Sequence, residues 1–190
     1  MKVDIQAIEG PLLFRPQLIK DSRGFFYESW NQALFNKLLE SHKQPPVTFV
    51  QDNHSKSNKG VLRGLHYQLE PNPQGKLVRC ISGKIFDVAV DLRKDSKNFM
   101  RWISVILSSN NNAQLWIPKG FAHGFVAMSE NVEVLYKVTH YWNKQAERSI
   151  NCSDNQLNIN WPILENIERS ISKKDSEAPM IADLSSKDFF

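Results

Sequence analysis

Cysteine is nearly missing from this chain. Two residues of 190, Cys80 and Cys152, form neither a disulfide framework nor a metal-ligand spacing, and they read as free thiols of a cytoplasmic protein. No apolar run approaches the roughly 20 residues that span a bilayer. The opening MKVDIQAIEG has neither the apolar stretch nor the cleavage site of a signal peptide, so no membrane partner is expected. Charge of one sign is also scarce. The formal net charge is +4 and scattered, which favours an acidic small molecule and argues against nucleic acid. No serine sits in a G-x-S-x-G elbow, and no Gly-rich phosphate loop opens a helix, which excludes those hydrolase, Rossmann and P-loop readings. No repeat, low-complexity tract or second domain is visible, so residues 1–190 read as one domain with a sizeable core.

Helical pattern is sparse too. The best stretch is Asn31 to His42, where Leu34, Leu38 and Leu39 share a face and Asn31 can cap. A second short candidate runs from Ile163 to Ile171, after Pro162. Ser41 to Pro46 reads as a loop. The middle of the chain is strand after strand, which predicts an all-β sandwich or barrel. Lys76 to Arg93 carries a hairpin signal, two alternating runs around Ser82-Gly83. In its second run Phe86, Val88, Val90 and Leu92 share one face, and Asp87, Ala89 and Asp91 the other. That polar face is either solvent-exposed or the lining of a pocket inside a small barrel.

Gly60 to Glu70, GVLRGLHYQLE, combines a buried-strand pattern with Arg63 and His66, which a purely core-filling strand does not need. Further on, PKGFAH resembles the second motif of cupins, double-stranded jelly rolls whose histidines often bind metal. The first-motif position of a metal-binding cupin, His-x-His, reads His66-Tyr67-Gln68 here. The asparagine usual four residues after His123 is Ala127. The jelly-roll signal survives and the metal signal does not, so no metal is expected. What remains is acid–base chemistry with cations, from His66, His123, Tyr136, Lys76, Arg23, Arg63 and Asp175. Each has a plainer reading: a hydrogen-bonded core histidine, a packed strand tyrosine, a solvated lysine or arginine. His123 lies between Gly120 and Gly124, as close approach to a ligand requires.

Six stretches in order, DSRGFFYESWN, FVQDNHSKSNKGVLRGLHYQ, GKLVRCISGKIFDVAVDLR, LWIPKGFAHGF, EVLYKVTHYW and SKKDSEAP, together resemble the dTDP-4-dehydrorhamnose 3,5-epimerase family, from about Ile8 to Pro179. The resemblance implies a cupin-type jelly roll with a few short peripheral helices, one of them at about 163–179. It further implies a homodimer that needs no metal or organic cofactor. The implied activity is inversion of C3 and C5 of a dTDP-4-keto-6-deoxy sugar in dTDP-L-rhamnose biosynthesis. On this chain the family's general base matches His66, its opposing acid Tyr136, the aspartate paired with the base Asp175, and the lysine near the keto oxygen Lys76. The nucleotide-binding set matches Arg23, Glu28, Gln51, Asn53, Arg63, His123 and Glu147. One departure is Lys173, where an acidic or neutral residue is usual. A mono-epimerase acting at C3 or C5 alone, or a jelly roll that binds a nucleotide sugar without catalysis, shares most of these features.

Overall fold

The computed structural model describes residues 1–165 and 167–190. The chain runs through β1 (Lys2–Ile5), β2 (Leu12–Arg15), β3 (Ile19–Asp21), β4 (Gly24–Phe26) and helix α1 (Gln32–Ser41). Then follow β5 (Gln51–Ser57), β6 (Val61–Gln68), β7 (Lys76–Ser82), β8 (Lys84–Asp91), β9 (Trp102–Ser108), β10 (Gln114–Ile117), β11 (Phe121–Ala127) and β12 (Val132–Val138). The last elements are β13 (Glu147–Ser149), β14 (Ser170–Ile171) and the one-turn helix α2 (Lys173–Ser176), before two short 3₁₀ turns. One sheet has the order β1-β2-β10-β7-β12-β5 and the other β13-β6-β11-β8-β9, with β14 added parallel to β6. The two sheets form the all-β architecture that the strand pattern predicted, and it is the cupin-type jelly roll that the PKGFAH motif and the family resemblance implied.

Their inner faces enclose a core to which one sheet contributes Val78, Leu115 and Val134 and the other Ile85, Ala89 and Phe125. The outer face of the first sheet carries Leu12, Phe14, Leu77 and Trp116, onto which α1 packs Phe35 and Leu39. Asn31 caps that helix as expected, its side chain accepting from the Leu34 amide at 3.0 Å.

Three expectations need adjustment. The Ser82-Gly83 turn does not make a hairpin: β7 pairs with β10 and β12, whereas β8 pairs with β9 and β11. Gly83, at φ +74°, turns the chain from one sheet into the other, and Ser129 Oγ accepts from the Lys84 amide there. A glycine with positive φ serves a hairpin and a sheet-to-sheet corner equally. Next, the two open readings of Asp87 resolve inward. Asp87 and Asp91 are fully buried. The apolar face of Val88, Val90 and Leu92 instead packs outward against Ile150, Cys152, Leu157, Trp161 and Ile181 of the C-terminal segment. Finally, the helix expected from Ile163 to Ile171 is not present among its described residues (Asn166 lies outside them). Ser170 and Ile171 pair with Val61 and Leu62, because extending a sheet edge satisfies more backbone groups than an isolated turn.

Candidate active site

One end of the inter-sheet space is polar. The inward positions of β5 are Gln51, Asn53, Ser55 and Ser57, standing opposite Val138, Tyr136, Val134 and Val132 of β12. From the other sheet come Arg63 and His66 on β6, His123 on β11 and Asp87 on β8. A cavity of about 500 Å³ is lined by Ser55, Arg63, His66, Lys76, His123, Tyr136, Lys174 and Asp175, among others. A second, of about 320 Å³, is lined by Gln51, Asn53, Trp142 and Glu147. His66, Lys76 and Tyr136 border both, so they stand where the two join.

Arg63 and His66 are three residues apart, and a regular strand would send them to opposite faces. The β6–β11 register shifts between them: His66 faces His123, and Arg63 faces Phe125. Three steps on β6 thus span two on β11, a bulge that resets the alternation and turns both side chains into the cavity. Gly64 makes the bulge possible. It has φ +120°, and a Cβ there would lie 2.6 Å from the Gly124 Cα.

His66 Nε2 is 2.7 Å from Asp175 Oδ1, and the Gly64 amide donates to Asp175 Oδ2 at 3.3 Å. Asp175 belongs to α2, whose Ser172 cap accepts from the Asp175 amide at 3.1 Å. Burial alone would raise the Asp175 pKa. The hydrogen bond and charge of His66, with the Gly64 and Ser172 contacts, outweigh it and hold the carboxyl below its ordinary range. The aspartate therefore stays ionised and fixes the imidazole.

Lys76 reaches across from the first sheet, and its Nζ donates to the His66 carbonyl at 3.1 Å. It is 6% exposed, and burial lowers its pKa to about 8, the charges of Asp87 and Glu147 opposing part of that shift. Tyr136 comes from the same sheet as Lys76, across the interior from His66. Burial raises its hydroxyl pKa, Arg63 works against this, and Glu147 adds to it, so the phenol remains protonated at neutral pH.

Around this centre, Arg63 sits at the exposed mouth, its Nε donating to Ser57 Oγ at 3.0 Å. His123 Nε2 is 2.9 Å from Asp87 Oδ2, both groups being buried. Gln51 donates to Asn53 at 2.9 Å and accepts from the Trp142 amide at 3.0 Å. Glu147 is ion-paired with Lys174 at 2.7 Å. Burial would raise its pKa, but the contacts with Lys174 and Trp142 and the nearby His66 bring it below the usual range.

Arg23 and Glu28 are not brought to this centre. Both are exposed, Arg23 pairs with Asp21 in the β3–β4 hairpin, and neither lines either cavity. Conversely, sequence reasoning passed over Ser55 and Lys174, and left Asp87 between solvent and pocket lining without a role at the site. Asp87 had a signal, a carboxylate in mid-strand; Ser55 and Lys174 had none. No group of three His, Cys, Asp or Glu side chains among the described residues is placed to hold a metal ion. Gln68, at the position of the missing second histidine, instead donates to the Asn72 carbonyl and accepts from the Asn143 amide.

Known proteins resemble this chain over nearly its whole length. The sequence model described as dTDP-4-dehydrorhamnose 3,5-epimerase matches residues 6–183. The dTDP-4-dehydrorhamnose 3,5-epimerase of Shigella flexneri is 53% identical over 163 residues, 86% of this chain and 88% of that protein. That of Pseudomonas aeruginosa is 49% identical over 96% of this chain and 97% of its own length. Among solved structures, the dTDP-6-deoxy-D-glucose-3,5-epimerase of Legionella pneumophila, in complex with dTDP-4-keto-L-rhamnose, superposes with a TM-score of 0.92. It is 42% identical, with 99% of this chain and 96% of that one covered.

Proposed function

The chain belongs to the dTDP-4-dehydrorhamnose 3,5-epimerase family, and on that premise we propose how its own residues divide the work. It is an isomerase of dTDP-rhamnose biosynthesis, inverting C3 and C5 of dTDP-4-dehydro-6-deoxy-D-glucose to give dTDP-4-dehydro-L-rhamnose. A proton on carbon beside a ketone can be removed because the charge left behind delocalises onto the keto oxygen. Inversion then needs a base on one side of the ring, positive charge at the oxygen and an acid on the other side.

His66 is the base. With Nε2 held by Asp175, Nδ1 is the nitrogen that takes the substrate proton, and the anionic Asp175 favours the imidazolium so formed. Lys76 supplies the positive charge at the developing enolate oxygen. Tyr136, protonated and on the facing sheet, returns a proton from the opposite side. The observation that carries this reading is that His66 and Tyr136 stand on opposing sheets and border the same cavity, with Lys76 beside them. Arg63 takes the diphosphate as a charge-assisted donor. His123, Gln51, Asn53 and Glu147 complete the substrate-binding set.

Arg23 and Glu28 complete that set from a second protomer. The β3–β4 hairpin that carries Arg23 makes its own two-stranded sheet and exposes Ile19, Phe25 and Phe26 at 65%, 56% and 70%. An apolar arm of this kind is suited to packing on a partner. The working unit is therefore a homodimer, which light scattering at micromolar concentration tests; a monodisperse monomer would refute it. Among the described residues no helix is long and apolar enough to cross a membrane, and we place the enzyme in the cytoplasm, where nucleotide sugars are made.

The activity itself is tested by NMR of dTDP-4-keto-6-deoxyglucose in deuterated water. Exchange at both C3 and C5 supports the reading. Exchange at one carbon points to a mono-epimerase, and bound substrate without exchange to a binding protein.

A further inference from the structure

Among the described residues, Ser55 Oγ is the one buried side-chain nitrogen or oxygen without a hydrogen-bond partner. A buried hydroxyl left unpaired costs stability, and such groups are rare unless something else supplies the partner. The neighbours of Ser55 on β5 show how specific the exception is. Gln51 and Asn53 bond each other, Ser57 receives Arg63, and only Ser55 between them is left over. It lines the larger cavity together with Arg63 and Tyr136.

We infer that Ser55 is a specificity-determining residue whose Oγ hydrogen-bonds a hydroxyl of the substrate sugar, the one on C2. The assignment rests on the epimerase reading above. Ser55 follows Asn53, which faces Tyr136 across the β5–β12 ladder, and precedes Ser57, which holds Arg63. Its place in the lining is thus between the acid assigned to the reacting carbons and the cation assigned to the diphosphate. On the sugar, the carbon between the anomeric diphosphate and the first reacting carbon is C2. Its hydroxyl also has the right constancy. The C3 hydroxyl changes side when C3 inverts, so a fixed serine cannot hold it in both epimers. The C2 hydroxyl keeps its configuration throughout. A serine both donates and accepts, which matches a neutral hydroxyl.

The test is a two-by-two comparison of wild type and Ser55→Ala on the keto sugar nucleotide and on its 2-deoxy analogue, with dTDP binding measured alongside. Wild type should lose at least tenfold in kcat/KM on the analogue, because a site built for a hydroxyl is left unpaired without it. Ser55→Ala should lose about five- to tenfold on the full substrate, lose nothing further relative to wild type on the analogue, and bind dTDP within twofold of wild type. Three results would overturn the inference: a variant within twofold of wild type on the full substrate, equal losses on both substrates, or dTDP binding that weakens as much as turnover. Absence of turnover by wild type on the full substrate would instead bring down the epimerase reading, so the two failures are separable.

Discussion

Asp175 and His66 are 109 positions apart in sequence and 2.7 Å apart in space. The contact joins the one-turn helix α2 to the sixth strand. Ser172 caps that turn and β14 anchors it to β6 just beforehand. The C-terminal segment therefore does two jobs: it covers the outer face of the second sheet and delivers the carboxylate that holds the His66 ring.

Asp175→Asn tests that orientation. The amide keeps the size but cannot favour the imidazolium. Epimerisation should fall by about two to four orders of magnitude, with dTDP affinity nearly unchanged, since the residues assigned to the nucleotide are other ones. Turnover within threefold of wild type would show that Asp175 only anchors α2.

Lys76 yields a pH prediction with two opposite signs. Its folded pKa, about 8, lies below the ordinary lysine value of 10.5. Below the folded value, both states carry the charge and the folded state bears the cost of burying it. As pH rises from about 8 towards 10.5, the unfolded chain holds the proton that the folded one has lost, so this group's contribution to stability rises. Activity should do the reverse: kcat/KM should decline as pH passes about 8, because the neutral amine no longer stabilises the enolate. Tyr136 cannot cause that decline, as its pKa is shifted upward from 10.0. Thermal unfolding and kcat/KM, each followed from pH 7 to 10, measure the two trends. Lys76→Met should flatten the stability trend and abolish turnover.

Much of this site could be read in the sequence, and the parts that could not have physical reasons. His66, Lys76, Tyr136 and Asp175 were legible through the family resemblance, and the structure brings them together from two opposing sheets and the C-terminal helical turn. The parity of β8 was ambiguous because both faces are buried, one by the opposite sheet and one by the C-terminal segment, so apolar alternation could not say which faced the core. The Ser82-Gly83 turn misled for a related reason. Local turn chemistry fixes the bend but not which strands then pair. Arg23 lies in the turn of a hairpin that the single chain leaves exposed, and Glu28 just beyond it. Ser55 is one hydroxyl in a polar strand, and only the fate of its neighbours' hydrogen bonds sets it apart.

Arg63→Ala should weaken dTDP binding at least tenfold, since a charge-assisted contact contributes about 1.5–3 kcal/mol. Titration calorimetry with dTDP reads this directly. Unchanged affinity would remove Arg63 from the diphosphate site and leave it as a clasp on Ser57.

The division of labour between His66 and Tyr136 is the centre of this account, and exchange of the ring protons in deuterated water, followed together with product stereochemistry, tests it most directly. His66→Ala removes the base, so exchange and inversion should both nearly stop. Tyr136→Phe keeps the base and Lys76, so protons should still be removed and should return mostly to the face they left. Measurable exchange with little inversion is the predicted result for that variant. If Tyr136→Phe behaves like His66→Ala, or if it inverts at the wild-type rate, then one base and one acid on opposing sheets is the wrong description of this enzyme.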